Sequence, residues 1–241
     1  MVKSVGIIVQ AHMGSTRLPN KMMKDLFGKS VLGHVITRLK KSLCADKLII
    51  ATSNLPSDDI LAEECKKYQV NFYRGSDSDV LDRFYQAAKY YELSDIARVC
   101  ADNTLIDWQI IDEEIKIYKN FSYDIVTSGD TVPLGLGCEI FSFDLLEEAR
   151  HKATKTYQHE HVTPYLYENF SNVYRYNLQE DFKKYRFTLD TEEDWQLIYK
   201  IYSELYHGED NFLLEDVVAV MKKNSTWFDI NKNVKQKTAK E

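Results

Sequence analysis

The chain has 241 residues, enough for one large α/β domain or two small ones with an ordinary core. Its formal net charge of −6 excludes a broadly basic surface for nucleic acid or an anionic membrane, so functional cations must be local. No apolar stretch approaches the roughly 18 residues that span a bilayer. Four cysteines (positions 44, 65, 100 and 138) lie far apart without a Cys-x-x-Cys pair, which favours buried free thiols and a cytoplasmic location.

In the first half of the chain, short strand-like runs alternate with segments of helical apolar spacing. The predicted strands are residues 5–10, 47–52, 70–73, 96–101 and 123–127. Helical spacing lies between them, in residues 31–43, 61–68, 81–91 and 108–118. This alternation predicts an α/β fold, a Rossmann-like three-layer arrangement with a mainly parallel central sheet.

The second half is less regular. Its predicted strands are residues 138–143, 172–176 and 185–188, and its predicted helices are residues 144–151, 160–169, 191–206 and 213–222. No Pro/Gly/Ser-rich linker and no internal repeat divides the chain. We therefore expect a single domain over residues 1–225, followed by a C-terminal tail over residues 226–241.

The first strand opens into the most informative loop of the sequence. Gly14 allows the backbone to approach an anion closely, and Ser15 adds a hydroxyl donor. Arg17 supplies a planar fork for phosphate oxygens, and Lys21 supplies a mobile point charge. Ligands of parallel sheets bind beyond the carboxyl ends of the strands, which is where this loop would lie. The loop therefore predicts a binding site for a nucleoside triphosphate.

Two familiar phosphate-binding motifs are missing from the sequence. Gly28-Lys29-Ser30 has the ending of a Walker A loop, but Met23 stands where that motif needs a glycine. No Gly-x-Gly-x-x-Gly run follows the first strand. The loop after the first strand must bind phosphates in a third way.

Residues 10–21, Gln-Ala-His-Met-Gly-Ser-Thr-Arg-Leu-Pro-Asn-Lys, resemble the signature of the cytidylyltransferases. The similarity is strongest to the branch of spore-coat and surface polysaccharide biosynthesis, which is related to 3-deoxy-manno-octulosonate and acylneuraminate cytidylyltransferases. It continues in order through residues 50–53, 74–83, 105–107, 160–165 and 189–194. The resemblance implies a GT-A-like nucleotidyltransferase fold, CTP as the nucleotide and Mg²⁺ as the cofactor.

The resemblance also implies a role for each matching residue. The residues that carry catalysis would be Arg17, Lys21 and Asp102. Mg²⁺ would be held by Asp102 and Asp190, since magnesium needs few carboxylates beside substrate phosphates. The nucleotide would be bound by Ala11, Gly14, Ser15, Arg17, Lys21, Asp79 and Arg83. The acceptor pocket would be lined by Glu139, His161 and Thr163, of which Glu139 also suits the solvated face of a strand.

Three of the acidic residues have ordinary structural explanations. Asp102 also suits a turn after a strand, and Asp79 suits the first turn of a helix, where the helix dipole favours an acid. Asp190 precedes a capping box formed by Thr191 and Asp194. Both explanations of Asp190 can hold together, with Thr191 capping the helix and Asp190 facing the metal.

The chain departs from the family pattern at positions near the predicted site. His12 replaces the usual arginine, which either weakens triphosphate binding or makes it pH-dependent. Asn20 and Gly137 replace the usual glycine and the usual acid, respectively. Ala101-Asp102-Asn103 keeps the family's carboxylate in a changed setting. The retained cations and carboxylates favour an active enzyme.

The sequence therefore predicts a CTP-dependent nucleotidyltransferase that transfers CMP to a small acidic sugar, phosphate or phosphonate, and that binds neither nucleic acid nor membrane. Two alternatives stay open. One is a sugar-phosphate nucleotidyltransferase that uses UTP, GTP or dTTP, and the other is a GT-A-type glycosyltransferase or a non-catalytic regulator. Both a monomer and a homodimer are open, since the strands of the second half could form a dimer arm.

Overall fold

The computed structural model describes residues 4–236. The strands in this range are β1 (Val5–Gln10), β2 (Asp25–Leu26), β3 (Lys29–Ser30), β4 (Lys47–Ser53), β5 (Asn71–Gly75), β6 (Asp95–Cys100), β7 (Ile125–Ser128), β8 (Glu139–Ser142) and β9 (Val173–Tyr176). The α-helices in this range are α1 (Val31–Leu39), α2 (Asp59–Lys67), α3 (Val80–Tyr90), α4 (Trp108–Asn120), α5 (Phe143–Lys152), α6 (Thr156–His161), α7 (Pro164–Asn169), α8 (Glu192–Leu205), α9 (Leu214–Lys223) and α10 (Phe228–Asn231). None of these helices is long and apolar enough to cross a membrane.

Seven of the strands form one sheet in the order β5-β4-β1-β6-β8-β7-β9. The pairs β1–β4, β1–β6, β4–β5 and β7–β9 are parallel, whereas β8 pairs antiparallel with both β6 and β7. β2 and β3 form a separate two-stranded hairpin. This hairpin contains Gly28-Lys29-Ser30, the run that has the ending of a Walker A loop. The mainly parallel sheet confirms the predicted α/β fold class.

The central strand β1 shows why helices cover both faces of the sheet. Its side chains alternate between two cores: Ile7 and Val9 pack with residues of α1, α2 and α4, while Ile8 packs with residues of α3, α5 and α7. A strand buried on both faces reads as a continuous apolar run, which is how this segment appears in the sequence. A third core joins α8 and α9 to Leu26 and Phe187.

The predicted strand at residues 185–188 is wrong. Tyr185, Phe187 and Leu189 are buried and alternate with partly exposed residues or with Thr188, which gives a strand-like pattern. The segment instead packs against loops and makes only an isolated bridge between Leu134 and Arg186. An alternation of buried and exposed residues indicates one buried face, but a strand also needs a neighbouring strand with which to pair.

The single helix predicted for residues 160–169 is also wrong, because α6 ends at His161 and α7 begins at Pro164. Proline has no N–H for a helical hydrogen bond, so it starts a helix but does not continue one. Val162 between the two helices has φ of +68°, which breaks the helical path. The other predicted strands and the predicted helices at 144–151, 191–206 and 213–222 match the structure to within two residues at each end.

Part of the predicted tail packs against the domain. Asn231 Nδ2 in α10 donates to the backbone oxygen of Arg186 (3.0 Å) and to Asp194 Oδ1 (2.9 Å). Gln236 Oε1 accepts a hydrogen bond from Arg186 Nη1 (2.6 Å). Residues 237–241 of this tail lie outside the described residues.

We expect Gly135→Ala to destabilise the domain by more than about 2 kcal/mol, because Gly135 has φ of +101° and an added Cβ would lie 2.4 Å from the backbone nitrogen of Thr188. Gly28→Ala is the matched control: Gly28 has φ of +82°, but nothing lies within 4 Å of its added Cβ, so the cost should be about 1 kcal/mol. Urea denaturation of both variants measures the difference. Equal losses would show that the close approach at Gly135 does not matter.

Candidate functional site

The candidate site lies where the strand order of the sheet reverses. β4 flanks β1 on one side and β6 flanks it on the other, and such a reversal opens a crevice at the carboxyl ends of the strands. The loop after β1 starts at Ala11, whose N–H donates to the backbone oxygen of Ala51 (3.1 Å). The loop after β6 starts at Ala101, whose N–H donates to the backbone oxygen of Gln10 (3.0 Å). Both loops are therefore anchored to the sheet at the edge of the crevice.

A pocket of about 580 Å³ opens at this crevice. Its lining includes Arg17, Asp102 and Asp190 together with Arg98 and Glu139. Residues predicted for the triphosphate, the metal and the acceptor thus meet in one pocket. A larger groove of about 860 Å³ between α4 and α9 contains none of the predicted site residues, so size alone does not identify the site.

The loop after β1 is held in place by a buried acid that the sequence does not single out. Asp58 Oδ1 accepts from the Met13 N–H (2.8 Å), while Asp58 Oδ2 accepts from the Ser53 N–H (3.1 Å) and the Thr52 hydroxyl (3.0 Å). Burial raises the pKa of Asp58, but these hydrogen bonds outweigh burial and lower it overall. The ionised carboxylate therefore anchors the loop to the end of β4.

Three of the predicted phosphate-binding residues of this loop, Gly14, Ser15 and Arg17, are at least partly exposed. Gly14 is exposed, and an added Cβ there would lie 3.1 Å from His12 Nδ1, so the His12 ring lies beside the point of closest approach. Ser15 Oγ accepts from the Leu18 N–H (3.3 Å) and shapes the turn that follows. His12 thus stands beside the predicted phosphate position, in the place of the family's arginine.

Asn20 replaces the family's glycine without disturbing the loop. Its φ of +57° and ψ of +22° lie in the left-handed region. Glycine adopts this conformation freely, and asparagine is one of the few other residues that adopt it at low cost. The backbone turn that leads to Lys21 is therefore preserved.

Lys21 is the centre of the site. Its ammonium donates to Asp102 Oδ2 (3.0 Å), Asp190 Oδ1 (3.0 Å) and the backbone oxygen of Leu189 (2.8 Å), and its side chain is only 7% exposed. Burial lowers the pKa of Lys21, but the two carboxylates outweigh burial and raise it overall. Lys21 is therefore a fixed, permanently charged group that joins the loop after β1 to the loop after β6 and to the segment before α8.

Asp190 is surrounded by cations. Its Oδ1 contacts Lys21 and Arg17 Nη2 (3.4 Å), and its Oδ2 accepts from Arg186 Nη2 (2.9 Å). Burial raises the pKa of Asp190, but these three cations outweigh burial and lower it overall. Asp194 completes the arrangement because it accepts from the N–H groups of Asp190 (3.0 Å) and Thr191 (3.1 Å), which confirms the predicted capping box.

The carboxylates of the site suit Mg²⁺ only if a bound ligand supplies further oxygen atoms. Magnesium takes one or two carboxylates and completes its shell with phosphate oxygens and water. Within residues 4–236, Asp102 Oδ1 accepts no hydrogen bond and is available as a ligand. Both oxygens of Asp190 are engaged, Oδ1 by Lys21 and Arg17 and Oδ2 by Arg186, so these cations would have to shift before Asp190 could bind a metal. No group of three or more metal-binding side chains exists in this part of the chain.

Asp79 and Arg83 lie at the start of α3, outside the pocket lining. Asp79 is the N-cap residue: its Oδ1 accepts from the Asp82 N–H (2.9 Å), and its Oδ2 contacts His159 Nδ1 (3.0 Å). Arg83 is buried and donates through Nη1 to the backbone oxygen of Ser76 (3.0 Å), while its Nε has no partner in the described structure. The structural explanation of Asp79 is therefore correct, and a role in nucleotide binding stays a prediction for both residues.

The predicted acceptor residues divide into two groups. Glu139 lines the pocket, is paired with Arg98, and accepts from the Thr163 hydroxyl (3.1 and 3.2 Å). Thr163 is buried and acts on the pocket only through Glu139. His161, at the end of α6, is not a lining residue. Glu139 is thus positioned for an acceptor, with Thr163 as its support.

Sequence reasoning missed two arginines that organise the site. Arg98 lies on β6, where an arginine among buried apolar residues was itself a signal. Burial lowers the pKa of Arg98, but Cys100 and Glu139 raise it overall. Arg186 was assigned to a false strand, and no local pattern indicated that it joins Asp190, Asp194 and Gln236.

We expect Lys21→Met to destabilise the free protein by about 3 kcal/mol, because it leaves Asp102 and Asp190 facing each other without the ammonium between them. Lys24→Met is the matched control, since Lys24 is more exposed and lies 3.8 Å from the exposed Glu192, and it should cost less than about 1 kcal/mol. Chemical denaturation at neutral pH measures both values. A cost for Lys21→Met no larger than the control would show that Lys21 does not hold the three segments together.

Comparisons with known proteins bear on what this site does. A family model described as cytidylyltransferase matches residues 6–224. An uncharacterised protein of Methanocaldococcus jannaschii is 39% identical over 246 residues, which cover 100% of this chain and 99% of that protein. The spore coat polysaccharide biosynthesis protein SpsF of Bacillus subtilis is 34% identical over 207 residues, 82% of this chain and 85% of SpsF. The structure of a cytidylyltransferase from Leptospira borgpetersenii has a TM-score of 0.88 at 33% identity and covers 98% of this chain and 100% of that one.

Proposed function

The chain belongs to the cytidylyltransferase family, and from that premise we propose that it transfers CMP from CTP to an acidic sugar, a phosphate or a phosphonate, with Mg²⁺ as cofactor. The acceptor oxygen attacks the α-phosphate of CTP in line, and pyrophosphate leaves. The product is an activated precursor for a surface polysaccharide. The name of the relative SpsF, which refers to spore coat polysaccharide biosynthesis, supports this last part of the proposal.

The observation that carries the proposal is the meeting of Arg17 and Lys21 with Asp102 and Asp190. Arg17 and the two aspartates line the pocket, and the buried Lys21 joins the aspartates. Two cations suit the phosphates of a nucleotide, and two carboxylates suit the metal ion that accompanies it. Glu139 lines the same pocket of about 580 Å³, which leaves room for a second substrate. Two substrates in one pocket are what a transfer reaction requires.

The two cations differ in the part that they can play. The Arg17 side chain is 32% exposed and is held by one contact of 3.4 Å to Asp190, so it is free to turn toward a phosphate and bind two of its oxygens. Lys21 is buried and fixed, so it offers a point charge at the floor of the site. Charge that develops on the α-phosphate and on the leaving pyrophosphate is neutralised by both. Catalysis of this kind depends on positioning and requires no covalent intermediate.

Asp102 and Asp190 are the residues that would hold Mg²⁺. When it is bound, the ion supplies further positive charge at the phosphate oxygens. Asp102 has an oxygen free of hydrogen bonds, and a turn of Arg17 toward the phosphate would remove one of the two cations at Asp190 Oδ1 and leave Lys21 there. Binding of the nucleotide and of the metal should therefore support each other.

The acceptor end of the pocket is polar and charged. Arg98 and Glu139 form an ion pair there, and Thr163 holds Glu139 from behind. A paired guanidinium and carboxylate can bind hydroxyl groups and acidic oxygens alike. These groups favour a polyhydroxylated acid over an apolar acceptor.

We expect CTP to raise the melting temperature more than UTP, GTP, ATP or dTTP, and Mg²⁺ to increase the shift. A ligand at about 100 times its Kd adds roughly 2.7 kcal/mol of stability, which thermal denaturation detects readily. Each nucleotide is tested with Mg²⁺ and with EDTA. A preference for another nucleotide would favour the sugar-phosphate nucleotidyltransferase, and no shift with any of them would overturn the proposal.

We expect Arg17→Ala to lower kcat/KM by on the order of 100-fold, which corresponds to the loss of one preorganised charged donor, about 3 kcal/mol. Pyrophosphate release with CTP and either 3-deoxy-manno-octulosonate or N-acetylneuraminate is the measurement. Arg175→Ala is the control, because Arg175 is an exposed residue of β9 outside the pocket. Turnover of Arg17→Ala at the rate of the control would remove Arg17 from the mechanism.

A further inference from the structure

One carboxylate beneath the pocket has no part in the charge network described above. Glu114 lies on α4 and is fully buried. Its Oε1 is hydrogen-bonded to the Ser128 hydroxyl, and its Oε2 accepts from Cys138 Sγ (2.7 Å). Unlike Asp102, Asp190 and Glu139, it contacts no lysine or arginine within residues 4–236. A buried acid without a cationic partner is costly, so its position needs an explanation.

Ser128 connects this acid to the pocket. It ends β7 at the carboxyl edge of the sheet, is partly exposed, and lines the pocket together with Gly137. An added Cβ at Gly137 would lie 2.6 Å from Ser128 Oγ, so any side chain at Gly137 would crowd the hydroxyl. Glycine at this position, where the family has an acid, leaves Ser128 Oγ accessible from the pocket.

We propose that Ser128 and Glu114 form a proton relay that takes the proton of an acceptor hydroxyl during nucleotidyl transfer. The inference rests on the proposed function and narrows it, because it makes the nucleophile a hydroxyl group and not a phosphate or phosphonate oxygen, which carries no proton to remove. Ser128 touches the acceptor, and Glu114 acts through Ser128. The sequence analysis did not single out either residue.

The relay accounts for every proton and bond in the step. The acceptor O–H bond breaks as its oxygen forms a bond to the α-phosphorus, and the bond from that phosphorus to pyrophosphate breaks with its electron pair on pyrophosphate. The acceptor proton moves to Ser128 Oγ while the Ser128 proton moves to Glu114 Oε1. Glu114 starts as a carboxylate and ends as a neutral acid, and after the product leaves it passes the proton back through Ser128 to water.

The other carboxylates of the pocket are less suited to this task. Glu139 is paired with Arg98 and accepts from Thr163, and Asp102 and Asp190 are bonded to Lys21. Each of these three carboxylates therefore already has a cationic partner. Glu114 has no such cation beside it.

The environment of Glu114 also sets its proton affinity near the range that a base needs. Burial raises the pKa of Glu114 to about 7, while the Cys138 thiol and the Ser128 hydroxyl oppose the rise and the charge of Glu139 adds to it. Tyr176 on β9 is the further titratable group that senses Glu114. A base with a pKa near the working pH combines a large ionised fraction with a strong driving force for proton transfer.

The test compares Glu114→Gln, Ser128→Ala and the double variant with wild-type protein, using pyrophosphate release from CTP with 3-deoxy-manno-octulosonate or N-acetylneuraminate. Glutamine keeps the size of Glu114 but cannot accept the proton, and alanine removes the connecting hydroxyl. We expect each single variant to lower kcat about 100-fold with little change in KM for CTP, and the double variant to lose no more than either single one. Glu113→Gln, which removes an exposed acid on the same helix, should leave kcat unchanged.

The pH profile separates a relay from a structural role. Wild-type kcat should fall toward acid pH as Glu114 becomes protonated, and Glu114→Gln should lose this acidic limb. The free energy of unfolding gives a readout besides activity. Because the pKa of Glu114 is raised in the folded state, its contribution to the free energy of unfolding is present at low pH and is lost as the pH rises through about 7. The Glu114→Gln variant should not show this loss. Should Glu114→Gln fail to fold, Ser128→Ala still tests the connecting hydroxyl.

The outcomes distinguish the relay from the function on which it rests. The relay alone is overturned if the wild type is active and Glu114→Gln turns over at the same rate. It is also overturned if the acidic limb of the pH profile persists in Glu114→Gln. Losses that multiply in the double variant also overturn it, since the two residues would then act separately. No pyrophosphate release by the wild type with either acceptor overturns the proposed function for these acceptors, and the relay with it.

Discussion

The Lys21 ammonium is the contact on which the site depends. It holds the loop after β1, the loop after β6 and the segment before α8 in one place through Asp102, Asp190 and the backbone oxygen of Leu189. The first two segments belong to the parallel half of the sheet, and the third comes from the irregular half. One buried charge therefore converts two halves of the chain into a single pocket. The same charge ties the three segments together in the protein and, under the proposed function, would also contact a nucleotide phosphate, which would link stability and function at this residue.

The parts of the structure that the sequence predicted are those governed by local rules. The parallel strands appear as apolar runs, the loop after β1 contains the residue types that bind phosphate, and Thr191 with Asp194 forms the capping box at α8. The strand prediction for residues 185–188 failed because an alternation of buried and exposed residues cannot distinguish a paired strand from an extended segment that packs on loops. The helix break at Pro164 was visible in the sequence, since proline at that position is a known helix start.

The residues that sequence reasoning missed act across long distances in the chain. Asp58 reaches back to Met13, Arg186 joins Asp190 to Gln236, and Glu114 meets Ser128 and Cys138. The contacts of Asp58 and Glu114 depend on the topology of the sheet, which brings together the carboxyl ends of strands that are distant in sequence, and the contact of Arg186 with Gln236 depends on how the C-terminal segment packs. A single sequence gives the type of such residues but not their partners. The sequence departures at Asn20 and Gly137 likewise became understandable only from a backbone angle and from a neighbouring hydroxyl.

The contact of Gln236 with Arg186 bears on how the protein is best handled in the laboratory. Gln236 lines the pocket, so a fusion that pulled Gln236 away from Arg186 would alter the wall of the pocket. Ser4 precedes β1 at the opposite edge of the sheet, a strand of six residues away, or about 20 Å. A fusion at that end keeps its bulk away from the chemistry and leaves Arg186 with its own partner.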